Sequence, residues 1–440
     1  MFIYVTVLEV LTLIDVKDEY KKKIVSTDYV ISLLKDNWTV VVGMTPMEPK
    51  EFLRNLHKAK ANGVEVFTCL NTEPYEFCSN EAYFSRFYNY SWFFGPFNRK
   101  LSKNTYYVPN NLHQAGTNLI QSTKINVFVG VASPMDEKGF FTLSASVVYE
   151  KDVLENADIV VLEVNPNAPR THGDTHVHIS DVDYIVEVNY DLPQAELLEP
   201  TEVERKIAEH IVELIEDGST IQLGIGGIPN AVAKFLVSKK DLGVHTEMFT
   251  ESMIDLFEAG VITNKKKTLW NGKFVCTFAY GSQRMYKFLD ENPSVLFLRG
   301  RYVNDPYVIA QNEKMLSINT ALMVDLTGNV CSEALGTTHY SGTGGQLDTH
   351  RGAVKSKDGK GIIAMRSTAR DGQVSTIVPI LPQGSPITVP RQELDYVVTE
   401  WGAVRLRGLP TRKRALALIS VAHPDFRESL RQEAQKLGLI

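Results

Sequence analysis

Cysteine is scarce in this sequence. Cys69, Cys78, Cys276 and Cys331 are the four cysteines in 440 residues, and they are widely spaced. Because no C-x-x-C pair occurs, neither a zinc ribbon nor a disulfide scaffold is predicted. The low count fits a reducing compartment, and a cytoplasmic location is therefore our expectation.

Long apolar runs and an excess of positive charge are also missing. No apolar run reaches the roughly 18 residues that a membrane-spanning helix requires. The start, MFIYVTVLEVLTLIDV, lacks a basic n-region and a clear cleavage site, so it makes a poor signal peptide. We treat residues 1–17 as an extension of uncertain status, either a stray segment or an added edge strand. With a net charge of −6, no nucleic-acid or membrane partner is expected.

Several widespread catalytic motifs do not occur. In the glycine cluster LGIGGIPNAVAKFL, Pro229 takes the place of the last glycine of a G-x-G-x-x-G dinucleotide fingerprint. No G-K-[ST] follows, so the cluster is not a P-loop. A G-x-S-x-G nucleophile elbow is likewise missing. These absences count against a dinucleotide-dependent dehydrogenase.

What the sequence does contain is a regular alternation of strand and helix patterns. Apolar runs such as ADIVVLEVN and PSVLFLRG alternate with helical runs such as EVERKIAEHIVELIEDG. This alternation predicts α/β units with buried parallel strands, and the length predicts two domains. The segment 189–202 has two prolines and no periodicity, so we divide the chain into domains 18–195 and 196–440. Thr201 and Glu204 form a capping box that begins the second domain's first helix.

A weak internal repeat favours a duplicated fold. Residues 38–56 share a strand–glycine–proline–helix plan with residues 219–236. Residues 125–144 and 319–336 share a strand–turn–strand plan. The alternative is that all strand–turn–helix units look alike.

Two glutamates in GVHTEMFTES are the candidates for acid chemistry. Glu247 is ionised at neutral pH if its pKa is ordinary, and a carboxylate is able to attack an activated acyl group. Glu251 stands four residues further on, as a first-turn acid favoured by the dipole of the following helix. The local sequence gives no reason to choose between them.

Glycine-rich loops lie on either side of these acids in the chain. Gly224, Gly226 and Gly227 end a strand pattern, and Pro229 begins a helix pattern. Backbone amides at such a position favour an oxyanion or phosphate, although a tight turn is the simpler interpretation. The second loop is YSGTGGQLDTHRG, residues 340–352. Together the two loops are placed to present amides on opposite sides of a reacting carbonyl.

The run RTHGDTHVHISD offers imidazoles and carboxylates that resemble a metal site. Their spacing matches no zinc signature, so we expect polar packing in a loop and no metal. The residues concerned are His172, Asp174, His176, His178 and Asp181.

Taken in order, the motifs resemble those of the acetyl-CoA hydrolase/transferase family of CoA-transferases. The branch of 4-hydroxybutyrate and butyryl-CoA:acetate CoA-transferases is the most similar. The resemblance spans about residues 18–435 and is carried by ASPMDEKGFF, APRTHGDTHVHISDVDYIVE, DGSTIQLGIGGIPNAVAKFL, GVHTEMFTESMIDLFEAGVITNKKK, SGTGGQLD, VVTEWGAVRLRGL and AHPDFRESL.

The resemblance implies two similar open α/β domains with the active site in the cleft between them. It implies CoA transfer from a short-chain acyl-CoA, butyryl or 4-hydroxybutyryl, to a carboxylate acceptor such as acetate. The implied route is ping-pong through a glutamyl-CoA thioester, with acyl-CoA hydrolysis through the same intermediate as the alternative. It further implies a homodimer or homotetramer that needs no cofactor beyond CoA as substrate.

The resemblance also assigns roles to individual residues. Glu247 matches the nucleophile, the Ile225 and Gly345 amides match the oxyanion hole, and Asn304 in VNDP matches an asparagine that positions the glutamate. Arg370 stands where some relatives carry lysine near CoA, and Glu400 in TEWG matches an acid that lines the site. The expected CoA-binding set is Gly224, Ile225, Gly226, Gly227, Ile228, Ser341, Gly345, Arg370 and Glu400.

Two features remain open at this point. A sensor that binds a nucleotide or sugar phosphate without chemistry would also use glycine-rich loops on an α/β scaffold. Segments 91–100 and 108–116 are expected to shape the acyl pocket, with Phe93, Phe94 and Phe97 as an apolar lining. Core packing is the alternative role for those three rings.

Overall fold

A computed structural model describes residues 15–100, 103–196, 199–224 and 226–440. Thirteen of its strands build two sheets. The first sheet contains β1 (Thr39–Val42), β2 (Val64–Thr68), β3 (Phe87–Ser91), β4 (Thr105–Tyr107), β5 (Val127–Ala132), β6 (Ile159–Val164) and β7 (Tyr184–Glu187). The second contains β8 (Thr220–Leu223), β9 (Gly243–Val244), β10 (Met315–Thr320), β11 (Lys360–Ala364), β12 (Tyr396–Thr399) and β13 (Gly402–Arg405).

Helices connect the strands and cover the sheets. They are α1 (Val16–Lys23), α2 (Thr27–Leu33), α3 (Lys50–Asn55), α4 (Glu76–Ser79), α5 (Ala115–Ser122), α6 (Glu150–Leu154), α7 (Glu202–Glu213), α8 (Gly227–Phe235), α9 (Glu251–Glu258), α10 (Gln283–Leu289), α11 (Gly300–Val303), α12 (Pro306–Ile309), α13 (Gln346–Lys355), α14 (Thr411–Ser420) and α15 (Pro424–Lys436). In the described part of the chain, none of them is long and apolar enough to cross a membrane.

The first sheet is parallel throughout, in the order β7-β6-β5-β1-β2-β3-β4. Strand β1 consists of TVVV and is buried along its whole length. Val40 in it lies opposite Val66 of β2 and Val127 of β5. β-branched residues without polar alternation are typical of strands that are covered on both faces.

The second sheet runs in the order β9-β8-β10-β11-β12-β13, and only the β12–β13 hairpin is antiparallel. From β8 the chain goes to β9, at one edge of the sheet. After β10, on the other side of β8, the later strands are added in order towards the opposite edge. Ligands of open α/β sheets bind at such a reversal, outside the carboxyl ends of the strands. Gly224 directly follows β8, and Thr320 ends β10 at the same edge.

The two halves pack into a shared core. One hydrophobic cluster joins Val41 and Phe128 of the first sheet with Ile221 and Ile318 of the second. A small three-stranded sheet also joins the two halves. Its strand His172–Gly173, from the first half, pairs with Val295–Phe297 of the second half, which pairs in turn with Phe274–Cys276. Two open α/β sheets confirm the predicted fold class, although their strand orders differ.

The structure bears on several local predictions. The capping box is confirmed, because Thr201 Oγ1 accepts from Glu204 N while the Glu204 side chain accepts from Thr201 N. Of the extension at residues 1–17, residues 1–14 lie outside the described residues. Helix α1 begins at Val16 with Asp15 as its N-cap. The domain division after residue 195 stays a prediction.

Candidate active site

Glu247 lies between two short strands at the centre of the molecule. It follows β9 and directly precedes the strand Met248–Phe249, which pairs with Phe278–Ala279. Its carbonyl oxygen accepts hydrogen bonds from Thr277 N at 3.0 Å and from Phe278 N at 3.1 Å. These backbone bonds fix the position from which the carboxylate extends.

The Glu247 side chain lines a cavity of about 130 Å³ at the strand-order reversal of the second sheet. The ends of β8 and β10, the second glycine loop and one aromatic ring of the first half enclose it. Its lining residues are Phe93, Gln222, Leu223, Gly224, Glu247, Met248, Asn319, Thr320, Ser332, Ser341, Gly342, Thr343, Gly344, Gly345 and Gln346. Both glycine-rich segments and the predicted nucleophile therefore meet at one site.

Asn304 and Gly345 hold the carboxylate directly. Asn304 Nδ2 donates to Glu247 Oε2 at 2.8 Å. The buried, neutral His245 donates through Nε2 to Val303 O at 2.8 Å, which fixes the end of α11 where Asn304 stands. Burial and then Lys267 lower the pKa of His245 to about 3.

Gly345 approaches Glu247 so closely that no other residue fits. A Cβ atom there would overlap both the Glu247 carboxylate and the Asn304 amide nitrogen. Gly345 is the N-cap of α13, and its backbone amide lowers the pKa of Glu247. A helix N-terminus favours negative charge, so α13 stabilises the ionised carboxylate.

The pKa of Glu247 is raised to about 7. Burial is the main cause, and the nearby charge of Asp348 adds to it. Hydrogen bonds from Asn304 and Gly345 act in the opposite direction because they favour the ionised form. The result is a carboxylate that titrates near neutral pH and carries few stabilising partners, as expected of a reactive group.

Asp348 is buried behind Glu247 and is paired with the first half of the chain. His113 donates to it from the backbone N at 3.1 Å, and its ring Nδ1 lies 2.8 Å from Asp348 Oδ1. Burial alone would lower the pKa of His113, but the Asp348 bond and charge outweigh it and raise the pKa. The sequence carried no signal for His113, which is 235 positions from its partner.

The second glycine loop is tied to the first half at three further points. Arg99 Nε donates to Tyr340 O at 2.6 Å, and Phe94 N donates to Ser341 O at 3.0 Å. Tyr107 Oη donates to Glu333 Oε2 at 2.9 Å and accepts from Thr343 N at 3.0 Å. These contacts place the loop against Glu247, and sequence reasoning missed all of them.

Glu251 has a different environment from Glu247. It occupies the first turn of α9, as predicted, and accepts from Ser282 N at 3.2 Å and Ser282 Oγ at 2.8 Å. Arg284 Nη1 pairs with it at 3.3 Å. Glu247 precedes this helix, so the two acids do not share a helix face. Glu251 stabilises the start of α9, and Glu247 is left as the acid of the cavity.

The first glycine loop leads into α8. Gly226 is the N-cap with φ of 122°, a conformation that favours glycine. Gly227 packs onto the Glu204 carboxylate, which pairs with Arg366 at 2.8 Å, and Ile228 is buried. Ile225 lies outside the described residues.

Arg370 and Glu400 are separate from the cavity around Glu247. Arg370 is exposed in the turn between the strands Thr368–Ala369 and Val374–Ser375. Glu400 follows β12 and accepts from Ser367 N at 2.9 Å and Ser367 Oγ at 2.6 Å. Neither is among the described residues that line the cavity.

The histidine-rich run makes unrelated contacts. His178 Nδ1 lies 2.8 Å from Ser180 Oγ, and His172 Nε2 lies 3.6 Å from Glu291. Across the described ranges, no group of three or more His, Cys, Asp or Glu side chains is placed to hold a metal ion.

Apolar cavities adjoin the site. One of about 30 Å³ also contacts Glu247, and one of about 480 Å³ is lined by Phe93, Phe94 and Phe97. Segments 91–100 and 108–116 contribute to the smaller cavity. Its lining is Met44, Cys69, Leu70, Trp92, Phe93, Asn110, Leu112, Ala115, Glu247, Phe278 and Gly344.

Comparison with known proteins agrees with this fold. The acetyl-CoA hydrolase/transferase N-terminal domain matches residues 11–193, and the C-terminal domain of the same family matches residues 281–434. The chain therefore belongs to the acetyl-CoA hydrolase/transferase family, and it is an enzyme of the CoA-transferase class.

Relatives are similar over almost their full length. A 4-hydroxybutyrate coenzyme A transferase of Clostridium kluyveri is 42% identical over 95% of this chain and 98% of its own. A succinyl-CoA:cyclohexane-1-carboxylate CoA transferase of Geobacter metallireducens is 41% identical over 96% and 97%. The butyryl-CoA:acetate CoA-transferase of Anaerostipes caccae is 36% identical over 96% and 97%.

Solved structures have the same fold. RipA from Yersinia pestis superposes with a TM-score of 0.92 at 36% identity, covering 97% of this chain and 100% of that one. A 4-hydroxybutyrate CoA-transferase from Porphyromonas gingivalis gives 0.79 at 34% identity, covering 96% and 99%.

Proposed function

We propose that this enzyme moves CoA from a short-chain acyl-CoA, butyryl or 4-hydroxybutyryl, to a carboxylate acceptor, with acetate as the acceptor we favour. The proposed route is ping-pong through a thioester between CoA and Glu247. The observation that carries the proposal is the position of Glu247. Its carboxylate lines the cavity at the strand-order reversal of the second sheet and is contacted by Asn304 and Gly345. The names of the relatives support the substrate class.

In the first half-reaction, a Glu247 carboxylate oxygen attacks the thioester carbonyl carbon. The C–S bond breaks, CoA leaves as the thiolate, and an acyl–glutamyl anhydride forms. The thiolate then attacks the Glu247 carbonyl carbon, and the acyl group departs as its carboxylate. Glu247 is left as a thioester with CoA, and no oxidation state has changed.

In the second half-reaction, the acceptor carboxylate attacks the glutamyl thioester and forms a new anhydride while the thiolate leaves. The thiolate attacks the acyl carbon of that anhydride. This step produces the acceptor's CoA thioester and restores the Glu247 carboxylate.

The Gly345 amide is the proposed oxyanion donor from the second glycine loop, with Ile225 as its partner from the first loop. In the free enzyme the Gly345 amide favours the ionised form of Glu247, because it lowers the pKa of that carboxyl. When Glu247 attacks, its carboxylate loses charge and the substrate carbonyl gains it. The Gly345 amide is therefore positioned to stabilise first the Glu247 carboxylate and then the oxyanion of the substrate. Losing such a donor lowers the rate roughly 10²–10³-fold.

The covalent intermediate is the test of the proposal. The enzyme is incubated with butyryl-CoA without an acceptor and then digested for peptide mass mapping, with borohydride reduction of a parallel sample. We expect CoA attached at Glu247, and reduction of the Glu247 side chain after borohydride. Glu247→Gln should abolish both signals.

Glu251→Gln is the matched control, because it removes the neighbouring acid but leaves the cavity intact. It should retain the Glu247 adduct. An adduct at Glu251, or full activity in Glu247→Gln, would contradict the proposal.

Transfer and hydrolysis differ in what intercepts the glutamyl thioester. CoA release that requires acetate identifies a transferase, whereas equal release without acetate identifies a hydrolase. We expect dependence on acetate, because Glu247 is only partly exposed, which limits the access of water to the intermediate.

A further inference from the structure

Asn110 stands in the wall between two cavities. It lines the small cavity of about 30 Å³ that also contacts Glu247. It also lines an open groove of about 500 Å³ along β3, β4 and α5. Trp92 and Ala115 are shared by the same two cavities. Asn110 therefore forms part of the wall of one space beside Glu247 that an acyl group could enter.

The amide of Asn110 is oriented by one neighbour and is otherwise unpartnered. Its Oδ1 accepts from Asn118 Nδ2 at 2.9 Å, a bond that connects it to α5. Its Nδ2 is buried and has no hydrogen-bond partner among the described residues. Buried donors are almost always paired, because an unpaired one has given up its hydrogen bond to water without a replacement.

The charges around this donor favour a neutral ligand atom. Glu247 is the only charged side chain in the described lining of the small cavity, and Glu65 is the only one in that of the groove. A second carboxylate placed at Asn110 would meet no cation and would be repelled by Glu247. A hydroxyl or carbonyl oxygen accepts the same hydrogen bond without that repulsion.

We propose that Asn110 is a specificity-determining residue whose side-chain amide donates to a neutral oxygen at the far end of a short acyl group. This inference rests on the proposed function, because the acyl group reaches the small cavity only if Glu247 is the site of transfer. A space of this size is about twice the minimum for one water molecule, so it admits only the last atoms of a short chain.

The experiment compares two acyl-CoA substrates that differ in one group. 4-Hydroxybutyryl-CoA carries a hydroxyl where pentanoyl-CoA carries a methyl group, and the two have nearly the same shape. We expect the wild-type enzyme to favour the hydroxylated substrate in kcat/KM by at least about 10-fold, because a site built for a hydrogen bond rejects an analogue that lacks it. Succinyl-CoA, with a charged end, should be the poorest of the three.

Asn110→Leu removes the donor and nearly preserves the volume. It should bring the ratio of the two kcat/KM values close to one. Asn111→Leu is the matched control. Its side chain makes no cap hydrogen bond and lines neither of the two cavities in the described structure, so the wild-type ratio should persist.

The outcomes separate the inference from the function on which it rests. A wild-type ratio near one, or a ratio that Asn110→Leu leaves unchanged, would overturn the role of Asn110 while transfer from the wild-type enzyme's thioester substrates continues. A preference for succinyl-CoA would overturn the neutral-oxygen requirement. Absence of transfer from all the thioesters would instead overturn the proposed function.

Discussion

At the scale of single residues, the groups around Glu247 set the pH at which its side chain ionises. Its pKa of about 7 lies above the usual value, so the carboxylate fraction grows as pH rises through 7. We expect kcat/KM for acyl-CoA to rise about tenfold per pH unit below that point and to level off above it. A profile measured between about pH 5 and pH 9 checks this prediction.

Two variants should move this profile in opposite directions. Asn304→Leu removes a donor to the ionised form, so the midpoint should rise. Asp348→Asn removes a nearby negative charge, so the midpoint should fall. Glu251→Gln should leave it in place. Shifts in the same direction would show that another group controls the profile.

The lack of a side chain at Gly345 gives a prediction about steric overlap with Glu247. Its φ of −96° is open to any residue, so alanine adds no backbone strain. The added methyl group would instead displace the Glu247 carboxylate and the Asn304 amide. We expect Gly345→Ala to lose at least about 10²-fold in kcat, the range reported for displaced catalytic groups, while folding normally.

Gly260→Ala is the opposite case and serves as the control. Its φ of 76° strains alanine, but open space surrounds it at the end of α9. It should lower the melting temperature slightly and keep kcat. If Gly345→Ala retained wild-type kcat, the overlap of the added methyl group with Glu247 would not affect catalysis.

At the scale of elements, the second glycine loop depends on a strand of the other half. Tyr107, at the end of β4, joins Glu333 and Thr343 through one hydroxyl. Tyr107→Phe removes these bonds and should accelerate amide exchange in residues 340–346, with a loss of stability of about 1–3 kcal/mol. Exchange mass spectrometry and thermal melting measure the two effects.

Tyr106→Phe, at the neighbouring residue, is the control for Tyr107→Phe. The Tyr106 side chain is half exposed, and its hydroxyl has no hydrogen bond to the described residues. Its exchange rates and melting temperature should match the wild type. Equal behaviour of the two variants would mean that the Tyr107 hydroxyl does not hold the loop.

At the scale of the whole molecule, the shared core predicts cooperative unfolding. The cluster that contains Val41 and Phe128 also contains Ile221 and Ile318, and the strand at His172 is paired within the second half. Neither half buries its apolar surface alone, so we expect one calorimetric transition. Two transitions separated by more than about 10 °C would show instead that the halves unfold independently.

Parts of the architecture follow from local pattern. Buried runs such as TVVV predict parallel strands, and the Thr201–Glu204 spacing predicts a helix start, because both depend on neighbours in the chain. The strand order of each sheet could not be predicted from local pattern. Order depends on which strands pack together across long connections, and no local propensity encodes that choice.

The sequence by itself determined the α/β class and the family motifs, and through the family resemblance it predicted Glu247 as the nucleophile. The family resemblance already favoured Glu247 over Glu251, and the tertiary structure supplied a physical difference between them, because Ser282 and Arg284 engage Glu251 while Glu247 lines the cavity. It also brought His113 to Asp348 and Tyr107 to Glu333 across more than 200 positions. Reactivity depends on burial and neighbouring charge, and both arise only when distant segments pack together.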